Sequence, residues 1–406
     1  MTDTISVDVC VVGAGPVGGT LACRLAAGGV STILIDRAAL PPMEHPAFDG
    51  RAYAIASGAR TLLVEAGLWD RLPDPPNPIL DIRVTDGRVG RRASRLHLHF
   101  DHHEVGDAPF GWMVEARGLR RALNAHVREM EGLVVFAPAV AEIARMEQGA
   151  RVRVAGGPSI DCRLVIAAEG RQSPLREAAG IPVTRFDYSQ TGIVCAISHE
   201  KPHHNVALEH FLPSGPFAVL PMAPSADAEV GGAPNVSAVV WTERTRTAAT
   251  MLRLDEVRFA REIGRRLGDY LGELRTVGRR WNYPLSAMLA HRYVDTRLAL
   301  AGDAAHGIHP IAGQGLNLGF RDAIELARLV IEAKAAGTDV GSVDLLARYQ
   351  RARRPDNLAM LAMTDGLDRL FSTNNSAVRL ARDLGIAAVD RTGPLKKVFM
   401  RRAMGA

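Results

Sequence analysis

Residues 7–36 leave few folds open to this chain. Val7-Asp-Val-Cys-Val-Val12 is a short apolar run suited to a buried strand, and Gly13-Ala-Gly-Pro-Val-Gly18 follows it directly. The helix-forming stretch Thr20-Leu-Ala-Cys-Arg-Leu-Ala-Ala27 comes next. It is followed by Thr32-Ile-Leu-Ile-Asp36, a second strand-like run ending in an acid 18 residues beyond Gly18. Strand, glycine turn, helix and strand in this order predict a Rossmann-like α/β unit. The glycines admit a pyrophosphate to the backbone, the first helical N–H groups favour its charge, and Asp36 suits ribose hydroxyls. The competing reading is a glycine-rich turn that holds no ligand, but the acid at the end of the second strand favours a dinucleotide. Gly13, Gly15, Gly18 and Asp36 are the first candidate binding residues.

A second glycine-rich segment, residues 302–322, decides which dinucleotide. Arg297-Leu-Ala-Leu-Ala301 reads as a short buried strand that delivers Gly302 and Asp303 to a ligand crevice at its carboxyl end. Pro310 and the turn Gly313-Gln314-Gly315 lead into an amphipathic helix whose apolar positions include Leu318, Ile324, Leu326 and Leu329. The start of that helix again favours negative charge, and its glycines let a flat or anionic ligand approach the backbone. A fold that binds NAD alone needs no second turn of this kind. FAD needs one, because ADP occupies one half of the fold while the other half holds the ribityl chain and isoalloxazine ring. FAD is therefore the expected cofactor.

The chain has 406 residues, 47% hydrophobic and 23% charged, enough for two or three globular units with a substantial core. It contains no run of about 18 apolar residues and no basic-then-apolar N-terminus, which points to the cytoplasm. Cys10, Cys23, Cys162 and Cys195 lie far apart with no C-x-x-C, which argues against a disulfide framework or structural zinc. The formal charge is +5, and residues 376–406 alone carry seven Arg or Lys against two Asp. Near the end of that tail, Leu395, Val398, Phe399 and Arg402 fall at helical spacing beside Lys396, Lys397 and Arg401. Two readings stand for it: a basic amphipathic helix, peripheral at the inner membrane, or a solvated helix docked by its apolar side. No nucleic-acid motif or aromatic interleaving accompanies the charge, so nucleic acid is not an expected partner. Nothing in the pattern fixes an oligomeric state.

The run His309-Pro-Ile-Ala-Gly-Gln-Gly-Leu-Asn-Leu-Gly-Phe-Arg-Asp322 resembles the signature of the ubiquinone-biosynthesis hydroxylases. These are a branch of the single-component (class A) flavoprotein aromatic monooxygenases, related in fold to 4-hydroxybenzoate hydroxylase. The resemblance continues through Asp49-Gly-Arg-Ala-Tyr-Ala-Ile55, Gly67-Leu-Trp69, Glu115-Ala-Arg-Gly-Leu119, Phe211-Leu-Pro-Ser-Gly-Pro216 and Val239-Val-Trp-Thr242, so it spans nearly the whole chain. It implies that Gly13, Gly15, Gly18 and Asp36 bind the ADP part of FAD, while Arg51 and Arg117 reach its phosphates or ribose. It further implies that Gly302 and Asp303 serve the ribityl chain. Pro310 would border the ring, and the backbone of Gly313, Gln314, Gly315, Leu316 and Asn317 would face its pyrimidine edge. The middle motif of the family usually reads Ala-Asp-Gly. Here it is Ala168-Glu169-Gly170, which keeps the charge of this cofactor-linked position and adds a methylene.

The implied activity begins with reduction of FAD by NADPH or NADH. O2 then adds at the flavin C4a, and the terminal oxygen of the hydroperoxide passes to the ring of a polyprenyl phenol in ubiquinone biosynthesis. No side chain is identified as catalytic, because the flavin carries the chemistry; Pro310 and His306 are the candidates near the ring. A prenylated phenol is the implied substrate, with a membrane surface and a ubiquinone-biosynthesis complex as implied partners. Two other readings remain: a flavin hydroxylase of a soluble aromatic, and a non-catalytic FAD-binding assembly subunit.

The expected organisation is a discontinuous FAD-binding domain, residues 1–75, 105–180 and 284–340, with an inserted β-sheet substrate domain, 76–104 and 181–283. A C-terminal helical segment, 341–406, completes it. Phe211, Phe217, Leu220, Val240 and Trp241 could floor an apolar tunnel for a prenyl tail, although core packing is the commoner fate of such residues. His97 and His99 alternate as strand neighbours, with His102 and His103 close behind. No Cys completes a site and the chemistry needs no metal, so no metal is expected.

Overall fold

A computed structural model describes residues 4–40, 49–90, 97–224, 233–309, 313–371 and 393–405. The first strand, Thr4–Val12, pairs in parallel with Ser159–Ala167 on one side and Thr32–Ile35 on the other. Leu298–Leu300 and Leu133–Phe136 extend the parallel sheet outward, and an antiparallel hairpin, Ala141–Met146 with Gly149–Val154, continues from Ser159–Ala167. Strands in the middle of such a sheet are covered on both faces, which is why they read as unbroken apolar runs rather than alternating ones. The helices Pro16–Ala27, Ala116–Glu129 and Gln314–Ala335 provide cover, with Leu21, Leu25, Leu119, Leu123, Leu326 and Val330 in one core with Val9, Val11, Ile33 and Val165.

A second eight-stranded sheet stands beside it. Its order runs His306–Gly307, Leu274–Ala290, Val183–His199, Val236–Arg244, Gly215–Met222, Val206–Leu212, Asp81–Asp86, His97–Asp101. All neighbours are antiparallel except Val206–Leu212 against Asp81–Asp86. The boundary expected at residue 284 falls inside the 17-residue strand Leu274–Ala290. Period two sorts this sheet's residues cleanly. Ile193, Cys195, Phe217, Val219, Val239 and Trp241 point to one face, where Phe259 and Ile263 of the helix Glu256–Leu267 cover them. Ala196, Ala207, Leu220 and Ala238 point to the other, where they meet Met113 and the strand Ala52–Ala56. The five side chains considered for a tunnel floor are thereby divided. Phe217 and Trp241 are core, Leu220 and Val240 lie on the opposite face, and Phe211 stacks on Phe371 at 3.9 Å between ring centres.

The C-terminal part is helical over Val343–Phe371 and Gly393–Met404, so the α/β class, the inserted sheet and the helical segment agree with the sequence reading. The face of the terminal helix is corrected. Lys396, Met400 and Met404, one turn apart, face the protein: Met400 is 1% exposed, and Lys396 Nζ lies 2.7 Å from Glu104 Oε1. Val398, expected on the buried side, is 57% exposed, and Arg402 is also exposed. Both ridges satisfy helical spacing; the Glu104 carboxylate and the Phe100 ring beneath Lys396 select the second.

Candidate functional site

At the N-terminal glycine turn, close packing and open space alternate. A Cβ on Gly18 would lie 2.0 Å from the Gly13 carbonyl oxygen, so glycine there is what allows the turn to close. Gly13 in turn packs against the Ala168–Glu169 peptide. A Cβ on Gly15, in contrast, would meet nothing within 4 Å. Gly15 is the N-cap of Pro16–Ala27, with no side-chain cap and no acid in the first turn, so the helix's own first turn leaves its positive end uncompensated. Asp36 stands at the end of its strand as expected and reaches back to the turn. Its Oδ2 accepts the Ala14 N–H at 2.7 Å and its Oδ1 the Ala38 N–H at 2.8 Å.

The second glycine segment repeats the arrangement. Gly302 donates its N–H to Asp322 Oδ2 at 3.0 Å. Asp303, half-exposed, accepts from Arg171 Nε at 3.2 Å, and Arg171 also donates to the Ser286 hydroxyl at 3.0 Å in the second sheet. Gly313 caps Gln314–Ala335 in the left-handed region, φ +63°, and again there is neither a side-chain cap nor an acid in the first turn. A Cβ on Gly315 would meet nothing within 4 Å. Gln314 is buried and Leu316 packs on the main core. The buried Asn317 side chain donates to the Ala54 carbonyl and accepts the Ala56 N–H, both at 2.9 Å, which fastens strand Ala52–Ala56 to the helix start. Pro310 lies outside the described residues.

These two helix starts fit FAD. One uncapped N-terminus with an open glycine cradle suits the pyrophosphate, and the other suits a flat ring that gains negative charge on reduction. Arg51 stands 4.1 Å over the Trp281 ring, paired with Asp49 at 2.6 Å, and the intervening Gly50 lies against the backbone at Ala196. Arg117, at the start of its helix, pairs with Glu115 at 3.0 Å. The candidate cofactor residues thus come from both sheets and from the loops between them.

Two of the expected residues serve the scaffold with their side chains. Glu169 turns its carboxylate into its own loop, onto the Ser173 hydroxyl and the Leu175 N–H; burial pushes its pKa up while Ser173 opposes the rise. It is the Glu169 backbone that borders Gly13. His306, a candidate for a place near the ring, is 1% exposed, its Nε2 2.5 Å from Asp322 Oδ2. Asp322 also accepts from Arg353 Nε at 2.9 Å and Asn357 Nδ2 at 3.2 Å, and Asn357 reaches the Tyr293 hydroxyl. Arg171, Arg353, Asn357 and Tyr293 were not singled out by sequence reasoning. Arg353 and Asn357 had one readable signal, their i, i+4 spacing in a helix.

The histidine cluster lies at the edge of the second sheet. His99 Nε2 is 2.5 Å from Asp81, and His102 Nδ1 is 3.0 Å from the Leu80 carbonyl oxygen. Asp101, His102 and His103 each bring one ligand atom within 4.8 Å of the others, with His102 buried and His103 exposed.

The model for the FAD binding domain family matches residues 6–364. A ubiquinone hydroxylase, UbiL of Rhodospirillum rubrum, is 47% identical over 399 residues, 98% of this chain and 89% of the relative. The 3-demethoxyubiquinol 3-hydroxylase of Escherichia coli is 30% identical, with 98% of both chains covered. In fold, the chain is similar to p-nitrophenol 4-monooxygenase PnpA from Pseudomonas putida, at a TM-score of 0.75 and 20% identity over 100% of this chain and 99% of that one. The chain belongs to the FAD-binding-domain family of flavin monooxygenases, within the branch that contains the ubiquinone hydroxylases.

Proposed function

We propose that this protein is an FAD-dependent monooxygenase that hydroxylates the aromatic ring of a polyprenyl phenol in ubiquinone biosynthesis, with NAD(P)H as reductant and O2 as co-substrate. The strand Ala52–Ala56 carries the reading. Its backbone is bound to Asn317 at the ring-side helix start, while Ala52 and Ala54 pack into the apolar layer of the second sheet with Met113, Ala196 and Ala238. A ring seated at Gly313–Gly315 therefore abuts apolar surface that excludes water, which oxygen transfer to an electron-rich ring requires. FAD, when bound, supplies the redox and oxygen-activating chemistry. The chain's own part is to hold the two ends of the cofactor at the helix starts, to position the ribityl side with Asp303 and Arg171, and to keep water out. Residues 1–75, 105–180 and 284–340 serve the cofactor in this reading, and 76–104 and 181–283 the substrate. The printed names of the 47% and 30% identical relatives support the substrate class.

A polyprenyl substrate resides in a membrane, and no described helix is long and apolar enough to cross one. The terminal helix turns Lys397, Val398, Arg401 and Arg402 outward, a cationic side that suits an anionic leaflet and peripheral attachment, where a ubiquinone-biosynthesis complex could also form. The test of the activity is anaerobic stopped-flow mixing of FAD-loaded protein with NADPH or NADH, with and without a prenylphenol, followed by oxygen. Phenol-accelerated bleaching and a hydroxylated product are expected. Flavin that neither nucleotide reduces would replace this reading with the assembly subunit. Equal acceleration by unprenylated aromatics would replace it with a soluble substrate.

A further inference from the structure

The second sheet carries one ionisable side chain in the middle of a floor of small apolar ones. Glu209 pairs with Ala218, Ala218 with Val240, Val240 with Val194 and Val194 with Trp281, so these side chains form one row across four strand boundaries. The adjacent row, Leu220, Ala238, Ala196 and Val277, packs in the layer that contains Ala52, Ala54 and Met113. The Glu209 row therefore looks toward the strand that Asn317 holds against the ring-side turn. Arg51 lies over Trp281 at the far end of the row. Val240 and Val194 are only half-buried although they stand in the middle of an eight-stranded sheet, so the described residues leave this floor partly open above.

Glu209 itself is 8% exposed, and among the described residues no hydrogen bond or ion pair engages its carboxylate. The charges on that side of the sheet are the Arg51–Asp49 pair at Trp281, the Lys396–Glu104 pair over Phe100, Asp86 two residue pairs beyond Val84, and Asp368 on the long helix near Phe371. None of them sets the state of Glu209: burial alone pushes its carboxyl up to about 8. A packing position gains nothing from such a group, since an unpartnered buried carboxylate costs stability that a leucine would not.

We propose that Glu209 receives the hydroxyl of the aromatic substrate on this floor and takes its proton. The phenolic O–H bond breaks, the proton passes to a carboxylate oxygen, and the electron pair stays on the phenolic oxygen, where it enriches the ring for hydroxylation. The inference rests on the hydroxylase reading given above. A carboxyl that ionises near 8 is a far closer match to a phenol, near 10, than an ordinary glutamate near 4.3.

The experiment uses the FAD-loaded wild type, E209Q and E209L, with ortho-prenylphenol as the probe and FAD content as the check on folding. Two readouts are taken from neutral to alkaline pH: the ultraviolet signature of bound phenolate, and hydroxylated product per NAD(P)H. In the wild type, phenolate and turnover rise together along a limb near 8. In E209Q and E209L that limb disappears, and kcat for hydroxylation falls on the order of 10²-fold or more. Bound phenol that ionises in E209Q as it does in the wild type overturns the assignment, and so does a wild type that binds no phenol. A wild type that ionises phenol through Glu209 but forms no product leaves the assignment standing and refutes the hydroxylase reading instead.

Discussion

Asp322 offers the sharpest test of how the proposed ring-side turn is held. Its side chain is fully buried and accepts from Gly302 N, His306 Nε2, Arg353 Nε and Asn357 Nδ2 at 2.5–3.2 Å. Burial alone would raise its pKa, but His306 and Arg353 hold it below the usual carboxylate value. Asp322→Asn keeps the shape, removes the charge and leaves the 7%-exposed Arg353 with a weaker partner. Charge-assisted hydrogen bonds contribute about 1.5–3 kcal/mol each, yet several on one carboxylate do not add. The loss expected for a broken buried pair, about 3–5 kcal/mol, is the better guide. The assay is equilibrium urea unfolding of the FAD-free protein together with FAD affinity, and both should fall because Gly302 loses its anchor. The pH sign follows from the depressed pKa: this stabilisation is present above the unfolded value and is lost as pH falls through the folded one. Asp322→Asn should therefore flatten the acid limb of the wild-type stability curve. A variant within about 1 kcal/mol of wild type, with an unchanged acid limb, would refute the reasoning, since no desolvated charge could then be at stake.

Other consequences are simpler to check. Gly15→Ala and Gly315→Ala place a Cβ in open space, so melting of the FAD-free protein should hardly move while FAD affinity falls; Gly18→Ala, which drives a Cβ into the Gly13 carbonyl, should lower both. Replacing Lys397 and Arg401 by glutamate should weaken binding to vesicles rich in anionic lipid by about 1 kcal/mol per charge removed, measured by co-sedimentation at low and high salt. Binding that ignores both charge and salt would count against the membrane surface. All four cysteines are buried, and burial pushes the Cys195 thiol up to about 12, so the native protein should resist a thiol-specific reagent at mildly alkaline pH until it is unfolded.

The parts of the site that local geometry dictates were legible in the sequence. Gly18 must lack a Cβ because its own turn leaves no room, and Asp36 must end its strand to reach that turn; both constraints act within a few dozen residues. Asn317 could be placed at a helix start but not matched to Ala54 and Ala56, because nothing local links positions 263 and 261 residues apart. Glu209 was passed over for a related reason. In a strand of alternating side chains one carboxylate reads as solvent-facing, and only the neighbouring strands make its face an interior one. Trp241 and Val240 show the same effect in reverse, since adjacent apolar residues of one strand necessarily face opposite ways. The terminal helix offered two equivalent ridges, and a distant acid, Glu104, chose between them.

The Asn317 clasp also orders events in time. The N-terminal turn needs Thr4–Val12, Pro16–Ala27 and Ser159–Ala167, all of which leave the ribosome early. Strand Ala52–Ala56 waits for a side chain near the other end of the chain, so the ring-side half closes only after most of synthesis is complete. A nascent chain halted at residue 300 is thus expected to hold the shape of an adenine-nucleotide site and yet retain no flavin, which pull-down of stalled chains with FAD would reveal. Cofactor capture would then report that synthesis has passed the helix Gln314–Ala335, and a product truncated before it could not begin to consume reductant.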